Sequence, residues 1–186
     1  MIKTLTDLFK YIQNPILEKD SNTTFLHRLS VFVILLIFSI FASFFISIII
    51  GMLEFSGLIY KTQHVFDDMF KNISGLKILF FASIMAPLIE ETIFRAPLVL
   101  FKKPRIFKIA FYSIAIIFGY IHLFNYEINT NVLLFSPILV APQIFIGLVF
   151  GFIRVRLGFL WSVTLHSVYN GILVSIFLLA SHALKQ

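Results

Sequence analysis

Long apolar runs separated by short polar stretches make up most of this sequence. Five runs are long enough to cross a bilayer as α-helices, which takes about 17–25 residues each: residues 29–53, 76–101, 109–126, 132–153 and 157–184. The polar stretches after the second, third and fourth runs are short, so those neighbouring runs would lie antiparallel. We therefore predict an all-α fold, a polytopic transmembrane helical bundle of about five spans.

The first 26 residues follow a different pattern. Apolar side chains recur there at helical spacing, at Ile2, Leu5, Leu8, Phe9 and Ile12. Charged residues interrupt this stretch too often for the apolar core of a signal peptide. A short helix lying in the membrane interface fits the spacing, and a loosely ordered tail is the alternative. We predict a cytoplasmic or interfacial arm over residues 1–26 and a transmembrane domain over residues 27–186.

Composition supports a membrane location. Hydrophobic residues make up 59% of the chain and charged residues 13%, and the mean hydropathy is +0.97. Soluble domains carry about 25% charged residues, so this chain is predicted to be an integral membrane protein with the lipid bilayer as a partner. It contains no cysteine, which excludes disulfides, cysteine metal sites and a cysteine nucleophile.

Lysine and arginine fall unevenly on the polar stretches. If the runs cross the membrane in turn, ten basic residues lie on one side, at Lys3, Lys10, Lys19, Arg28, Lys102, Lys103, Arg105, Lys108, Arg154 and Arg156. Four lie on the other, at Lys61, Lys71, Lys77 and Lys185. Because basic loops stay in the cytoplasm, we predict a cytoplasmic N-terminus and an external C-terminus. The net charge of +6 then sets orientation and does not indicate a nucleic-acid partner.

The second apolar run contains three charged residues, Glu90, Glu91 and Arg95. Each costs about 2.5–3.5 kcal/mol at the centre of a bilayer, whereas a Leu, Ile, Val or Phe returns only about 0.3–0.6 kcal/mol. Lipid alone therefore does not easily tolerate this segment. The charges are expected to face other helices or a water-filled cavity, which makes them candidates for a functional site.

Spacing suggests different roles for the two carboxylates. Glu91 and Arg95 are four residues apart and share a helix face, so a structural ion pair is the favoured interpretation. Glu90 lies about 100° further round the helix and can point into the bundle. Pro87 and Pro97 bracket the charged segment and predict a kink or break there.

Polar residues also interrupt two other runs. His122 lies in the third run, and His166 and Asn170 lie four residues apart in the fifth. A single intramembrane histidine is as often a helix–helix hydrogen-bonding residue as a functional one. A free carboxylate, two histidines and an amide on three spans are, however, what base-activated or metal-bound water needs.

Three motifs together resemble a known family. They are Glu90-Glu91-xxx-Arg95, Phe118-xxx-His122 and His166-xxx-Asn170, in this order and each on its own apolar run. They look like the motifs of the CPBP family, the CAAX proteases and bacteriocin-processing enzymes, also called the ABI family. The stretch from Gly147 to Asn170 is similar to that family's last conserved region, and the likeness covers residues 76–178. It implies a multi-pass intramembrane endopeptidase that acts on a peptide or protein at the membrane.

The resemblance also implies roles for the site residues. Glu90 and His122 would activate the attacking water, and His166 and Asn170 would support the oxyanion or a metal. Glu91 and Arg95 would support the site, and residues 27–186 would form the catalytic domain. Two mechanisms stay open, a Zn²⁺ held by Glu90, His122 and His166, or Glu90 acting as a base without metal.

Two other functions compete with the protease. One is a non-enzymatic membrane protein that binds a partner, such as a bacteriocin self-immunity protein. The other is a small transporter with Glu90 as its proton carrier, which ranks last because the sequence contains no visible inverted repeat.

Overall fold

The computed structural model describes residues 1–59 and 73–183, and within these ranges the chain is helical without strands. Its α-helices are α1 (Ile2–Gln13), α2 (Phe25–Phe55), α3 (Gly75–Phe80), α4 (Ala86–Glu90), α5 (Pro104–Ile121), α6 (Thr130–Leu139), α7 (Ala141–Arg156) and α8 (Phe159–Ala183). Two π turns, Phe81–Met85 and Glu91–Arg95, and two 3₁₀ turns, Ala96–Leu100 and His122–Asn125, extend them.

The predicted all-α polytopic bundle is confirmed. Four helices of the described ranges are long and apolar enough to cross a membrane: Phe25–Phe55, Pro104–Asn125, Thr130–Arg156 and Phe159–Ala183. The remaining predicted span, residues 76–101, corresponds to residues 75–100. These stay helical but change from α to π, back to α, to π and finally to 3₁₀. We call this stretch the segmented helix. Together these elements correspond to the five predicted spans.

Several helices extend a few residues beyond the approximate ends of the predicted spans. The third span begins at Pro104 rather than near residue 109, because proline fits the first turn of a helix without losing a hydrogen bond. Arg154 and Arg156, which were expected in a tight loop, lie in the last turn of α7. The chain then turns at Gly158, whose φ of +113° is a conformation that only glycine adopts easily.

Small residues allow α5 and α7 to pack closely at the centre of the bundle. A Cβ on Gly151 would lie 2.7 Å from Cε2 of Phe111, and one on Gly119 would lie 2.3 Å from Cγ1 of Ile144. A Cβ on Gly147 would lie 3.2 Å from Cδ1 of Phe118, so Gly147 and Gly151 form a close-packing face on α7. It brings α5 and α7 together beside the segmented helix.

The N-terminal helix α1 packs against this core. Leu8 is fully buried, and the Tyr11 ring meets Phe111 of α5 and Phe152 of α7 edge-on, with centroids 5.5 and 5.1 Å away. The Tyr112 hydroxyl donates a 2.6 Å hydrogen bond to the carbonyl of Ile12. The predicted helix is thus confirmed, and the alternative of a loose tail is wrong for residues 2–13. The division into an arm and a catalytic domain at residue 26 stays a prediction.

Some sequence predictions concern positions that the structure does not describe. Most of the polar stretch between the first two predicted spans, which was expected on the external side, falls in residues 60–72, with Lys61 and Lys71. The predicted end of the fifth span, Leu184, and the basic residue Lys185 also lie outside the described residues.

Candidate active site

Two prolines explain the changes of helix type in the segmented helix. Pro87 and Pro97 each follow a π turn, Phe81–Met85 and Glu91–Arg95. Proline has no N–H, so neither proline can donate a hydrogen bond to the carbonyl four residues earlier. Its ring also crowds the preceding turn. The predicted irregularity is therefore confirmed. Single π turns inside α-helices often occur at functional sites, and here they flank Glu90.

Side chains from α7 and α8 bind carbonyl oxygens of the segmented helix. The Asn170 amide donates a 3.0 Å hydrogen bond to the carbonyl of Ala82, in the first π turn. Nε of Arg154 donates to the carbonyl of Arg95 at 3.1 Å, and its guanidinium also reaches the carbonyl of Ala96 at 3.4 Å. These hydrogen bonds connect the irregular backbone to α7 and α8, which fixes the position of Glu90 and Glu91 relative to those helices.

Glu91 is the fully buried centre of a polar cluster. The hydroxyl of Ser162 donates to its Oε2, and Nδ1 of His166 lies 3.0 Å from its Oε1. Nη1 of Arg95 lies 3.6 Å from the same oxygen. The predicted Glu91–Arg95 pair is therefore present. Sequence reasoning missed Ser162, although its position one turn before His166 on α8 places it on the same helix face.

Arg95 is 1% exposed and stacks on an aromatic ring. Its guanidinium carbon lies 3.7 Å from the centroid of Phe118 and 5.7 Å from that of Phe150. A desolvated cation over an aromatic face is stabilised by about 2 kcal/mol or more. Phe118 of the second motif thus contacts Arg95 of the first motif. This contact gives a physical reason for the presence of both residues in the motifs.

His166 lies between the two carboxylates. Its Nδ1 faces Glu91, and its Nε2 is 3.6 Å from Oε2 of Glu90. The Phe150 ring covers the imidazole at a centroid distance of 4.4 Å. A separation of 3.6 Å is too long for a hydrogen bond, and Oε2 of Glu90 is buried without a hydrogen-bond partner among the described residues. Glu90 therefore keeps an uncommitted carboxylate oxygen beside His166.

His122 begins the 3₁₀ turn after α5. Its Nδ1 lies 2.8 Å from the carbonyl oxygen of Phe118. A carbonyl can only accept a hydrogen bond, so Nδ1 carries the hydrogen. In the neutral imidazole Nε2 then keeps its lone pair. His122 can therefore accept a proton or a hydrogen bond at Nε2.

Three of the four predicted site residues line one cavity of about 150 Å³. His122, His166 and Asn170 line it, together with Gln143 and with apolar side chains that include Phe118 and Phe150. This volume can hold a few water molecules beside these polar groups. Glu90 is not among the lining residues and reaches the site through His166. His166 and Asn170 share the cavity, but each binds a different partner.

The residues proposed for a metal do not converge. Among residues 1–59 and 73–183, no three His, Asp or Glu side chains are grouped closely enough to hold a metal ion. A catalytic zinc needs three protein ligands and an open position. The arrangement of Glu90, His122 and His166 does not fit that requirement.

These features define a polytopic membrane protein with a buried carboxylate–histidine cluster at the edge of a small polar cavity. Residues 72–172 match the family model described as "Type II CAAX prenyl endopeptidase Rce1-like". The match covers more than half of the chain and contains all three motifs. The chain therefore belongs to this family of CAAX-type endopeptidases, as the motifs predict. No curated protein and no solved structure matches the chain significantly.

Proposed function

We propose that this protein is a membrane-embedded endopeptidase that hydrolyses a membrane-proximal peptide bond with a water molecule activated by Glu90 and His122. The observation that carries the proposal is the unpartnered Oε2 of Glu90, 3.6 Å from Nε2 of His166. A buried carboxylate oxygen without a donor is costly. Oε2 of Glu90 is available to accept a proton from water during a reaction.

Charge balance in the buried cluster supports this role. Arg95 offsets Glu91, which leaves one proton to be shared by Glu90 and His166. With the proton on Nε2 of His166, Glu90 is an ionised base and the imidazolium lies between two carboxylates. With the proton on Glu90, His166 is neutral. Both arrangements have no net charge, so the proton moves within the pair without adding a buried charge.

The proposed hydrolysis uses the first arrangement. Glu90 removes a proton from a water molecule at the edge of the cavity, beside His166, while the water oxygen attacks the carbonyl carbon of the substrate. Nε2 of His122 accepts a hydrogen bond from the same water and orients it. Glu90 then gives the proton to the leaving amine as the C–N bond breaks. The products are one carboxylic acid and one amine. Catalytic contacts of this kind are often long before substrate binds and shorten in the complex.

The negative charge that develops on the carbonyl oxygen needs nearby donors. Protonated Nε2 of His166 and the amide of Asn170 supply them, because both side chains line the cavity. The hydrogen bond from Asn170 to Ala82 fixes the orientation of its amide, and a second amide hydrogen stays available. Glu91 and Arg95 support the site by holding His166.

The substrate proposal follows the family description. A peptide with a C-terminal CAAX sequence and a prenylated cysteine would lie at the membrane, within reach of a cavity formed by transmembrane helices. The proposed orientation is the predicted one, with the N-terminus and the basic ends of α5 and α7 in the cytoplasm.

The proposal is tested with the purified protein in lipid vesicles and a farnesylated CAAX peptide, with products identified by mass spectrometry. We expect wild type and Glu127→Gln, which changes an exposed carboxylate, to cleave the peptide, and Glu90→Gln to be inactive. A zinc chelator is expected to leave the wild-type rate unchanged. Loss of activity on chelation and recovery with Zn²⁺ would replace the glutamate mechanism by the metal one. Cleavage by neither wild type nor Glu127→Gln, with or without the farnesyl group, would favour a non-enzymatic binding protein.

A further inference from the structure

Gln143 shares the cavity with the predicted site residues although it belongs to none of the three motifs. It lies in the first turn of α7, just after the chain bends at Val140 between α6 and α7. Its side chain lines the same cavity of about 150 Å³ as His122, His166 and Asn170. The fourth span thus contributes a polar group to the site.

Close backbone packing fixes the place of Gln143 relative to His122. A Cβ on Gly119 would lie 3.1 Å from the backbone nitrogen of Ile144 and 2.3 Å from its Cγ1. Ile144 follows Gln143 directly, and Gly119 precedes His122 by three residues on α5. The absent side chain at position 119 therefore lets the two helices approach so closely that Gln143 and His122 face one cavity.

The Gln143 amide lacks the partner that a buried amide needs. Its Oε1 is buried without a hydrogen-bond partner in the described part of the chain. The other polar side chains of the cavity have fixed partners: His122 binds the Phe118 carbonyl, His166 binds Glu91 and Asn170 binds the Ala82 carbonyl. Because buried amide groups in proteins are nearly always paired, Oε1 of Gln143 is available to a donor that enters the cavity.

We propose that the Gln143 amide binds the backbone of the substrate residue whose carbonyl is attacked. This inference rests on the proposed endopeptidase function. In an extended peptide the N–H and C=O of one residue point to the same side, as in the paired residues of antiparallel strands. A glutamine amide matches them, because Oε1 accepts from the N–H and Nε2 donates to the carbonyl oxygen. Gln143 is then a substrate-binding residue and a third donor to the oxyanion, beside His166 and Asn170.

The test combines a variant of the protein with a variant of the substrate. Gln143→Met keeps the length of the side chain and removes both hydrogen-bonding groups. The second change is made in the farnesylated CAAX peptide, where an ester oxygen replaces the N–H that Gln143 is expected to bind. Gln13→Met, at the exposed end of α1, is the control variant. The kcat/KM per folded molecule is measured for every combination.

We expect Gln143→Met to fold at least as well as wild type, because it removes an unpartnered buried amide, and to lose at least about tenfold in kcat/KM, as for one or more lost hydrogen bonds. The ester peptide should be about tenfold poorer for wild type and Gln13→Met, but less than twofold poorer for Gln143→Met. The ester effect would then depend on the side chain at position 143. No such dependence is expected if Gln143 only shaped the fold. Equal ester effects in wild type and Gln143→Met, or unchanged kcat/KM in Gln143→Met, would overturn the proposal.

A binding measurement separates this inference from the catalytic proposal. The dissociation constants of both peptides are measured in the Glu90→Gln background, where turnover is not required. If Glu90→Gln still turns over substrate, the role of Glu90 fails while the coupling between Gln143 and the peptide N–H is still decided. The assignment of Gln143 is wrong if the amide and ester peptides bind equally well to the Glu90→Gln protein but differently to the double variant that also carries Gln143→Met.

Discussion

Nδ1 of His166 lies 3.0 Å from Oε1 of Glu91, so the opposite nitrogen of the ring faces Glu90. The two neighbouring carboxylates therefore differ in environment. Glu91 is fully buried and contacts Ser162, His166 and Arg95, whereas the side chain of Glu90 is 27% exposed and has an unpartnered oxygen. This difference supports the proposed roles, with Glu91 in the structure of the site and Glu90 in the chemistry.

Replacing Glu91 should mainly affect stability. Glu91→Gln removes the counter-charge of Arg95, which is 1% exposed, and removal of one member of a buried pair typically costs about 3–5 kcal/mol. We expect a lower yield of folded protein and a lower Tm in detergent, with activity falling in proportion to folded protein. Well-folded but inactive Glu91→Gln would mean that the roles of the two carboxylates are exchanged.

The contact between Arg95 and Phe118 should also stabilise the protein. Phe118→Leu keeps an apolar side chain but removes the ring that lies 3.7 Å from the guanidinium. Phe107→Leu is the matched control, because Phe107 is also buried. We expect Phe118→Leu to be less stable than Phe107→Leu by about 1–2 kcal/mol, measured by denaturant unfolding in mixed micelles. Equal losses would show that the ring acts only through its volume.

Packing at Gly119 should tolerate no side chain. Gly119→Ala would bring its Cβ within 2.3 Å of Cγ1 of Ile144, and overpacking of this kind costs about 1–3 kcal/mol. Gly51→Ala is the control, because no atom lies within 4 Å of the added Cβ and alanine is the better helix former. We expect a lower Tm for Gly119→Ala alone, partly restored by Ile144→Ala. A Tm equal to that of wild type would contradict the close approach of α5 and α7.

The orientation can be measured because the chain contains no cysteine. A single cysteine at Lys103→Cys should react with a membrane-impermeant maleimide only after the cells are opened. A cysteine at Glu127→Cys, at the other end of the third span, should react in intact cells. The basic asymmetry of the loops motivates this expectation. The reverse labelling pattern would place the N-terminus outside.

Periodicity and spacing predicted much of the fold. The apolar runs predicted the helices, Pro87 and Pro97 predicted the irregular segment, and the four-residue spacing predicted the contact between Glu91 and Arg95. These features depend on neighbours along one helix. The ends of α5 and α7 were less accurate, because basic residues occupy helix termini as readily as loops.

Contacts between helices could not be predicted from spacing alone. The bonds from Ser162 to Glu91 and from Asn170 to Ala82 depend on how each helix is rotated about its axis. A π turn inserts one extra residue, so it changes the faces on which later residues lie. Gln143 was missed for a related reason, since only the packing of α7 against Gly119 brings it to the cavity.

The most direct test of the central claim is the turnover of Glu90→Gln per folded molecule. This substitution keeps the size of the side chain but removes the base, and it also removes a charge that is costly to bury. We expect folded yield at least equal to wild type and a rate of cleavage of the farnesylated CAAX peptide that is about 10²–10⁴-fold lower, with Glu127→Gln unchanged. Turnover by folded Glu90→Gln within threefold of wild type would contradict the assignment of Glu90 as the catalytic base.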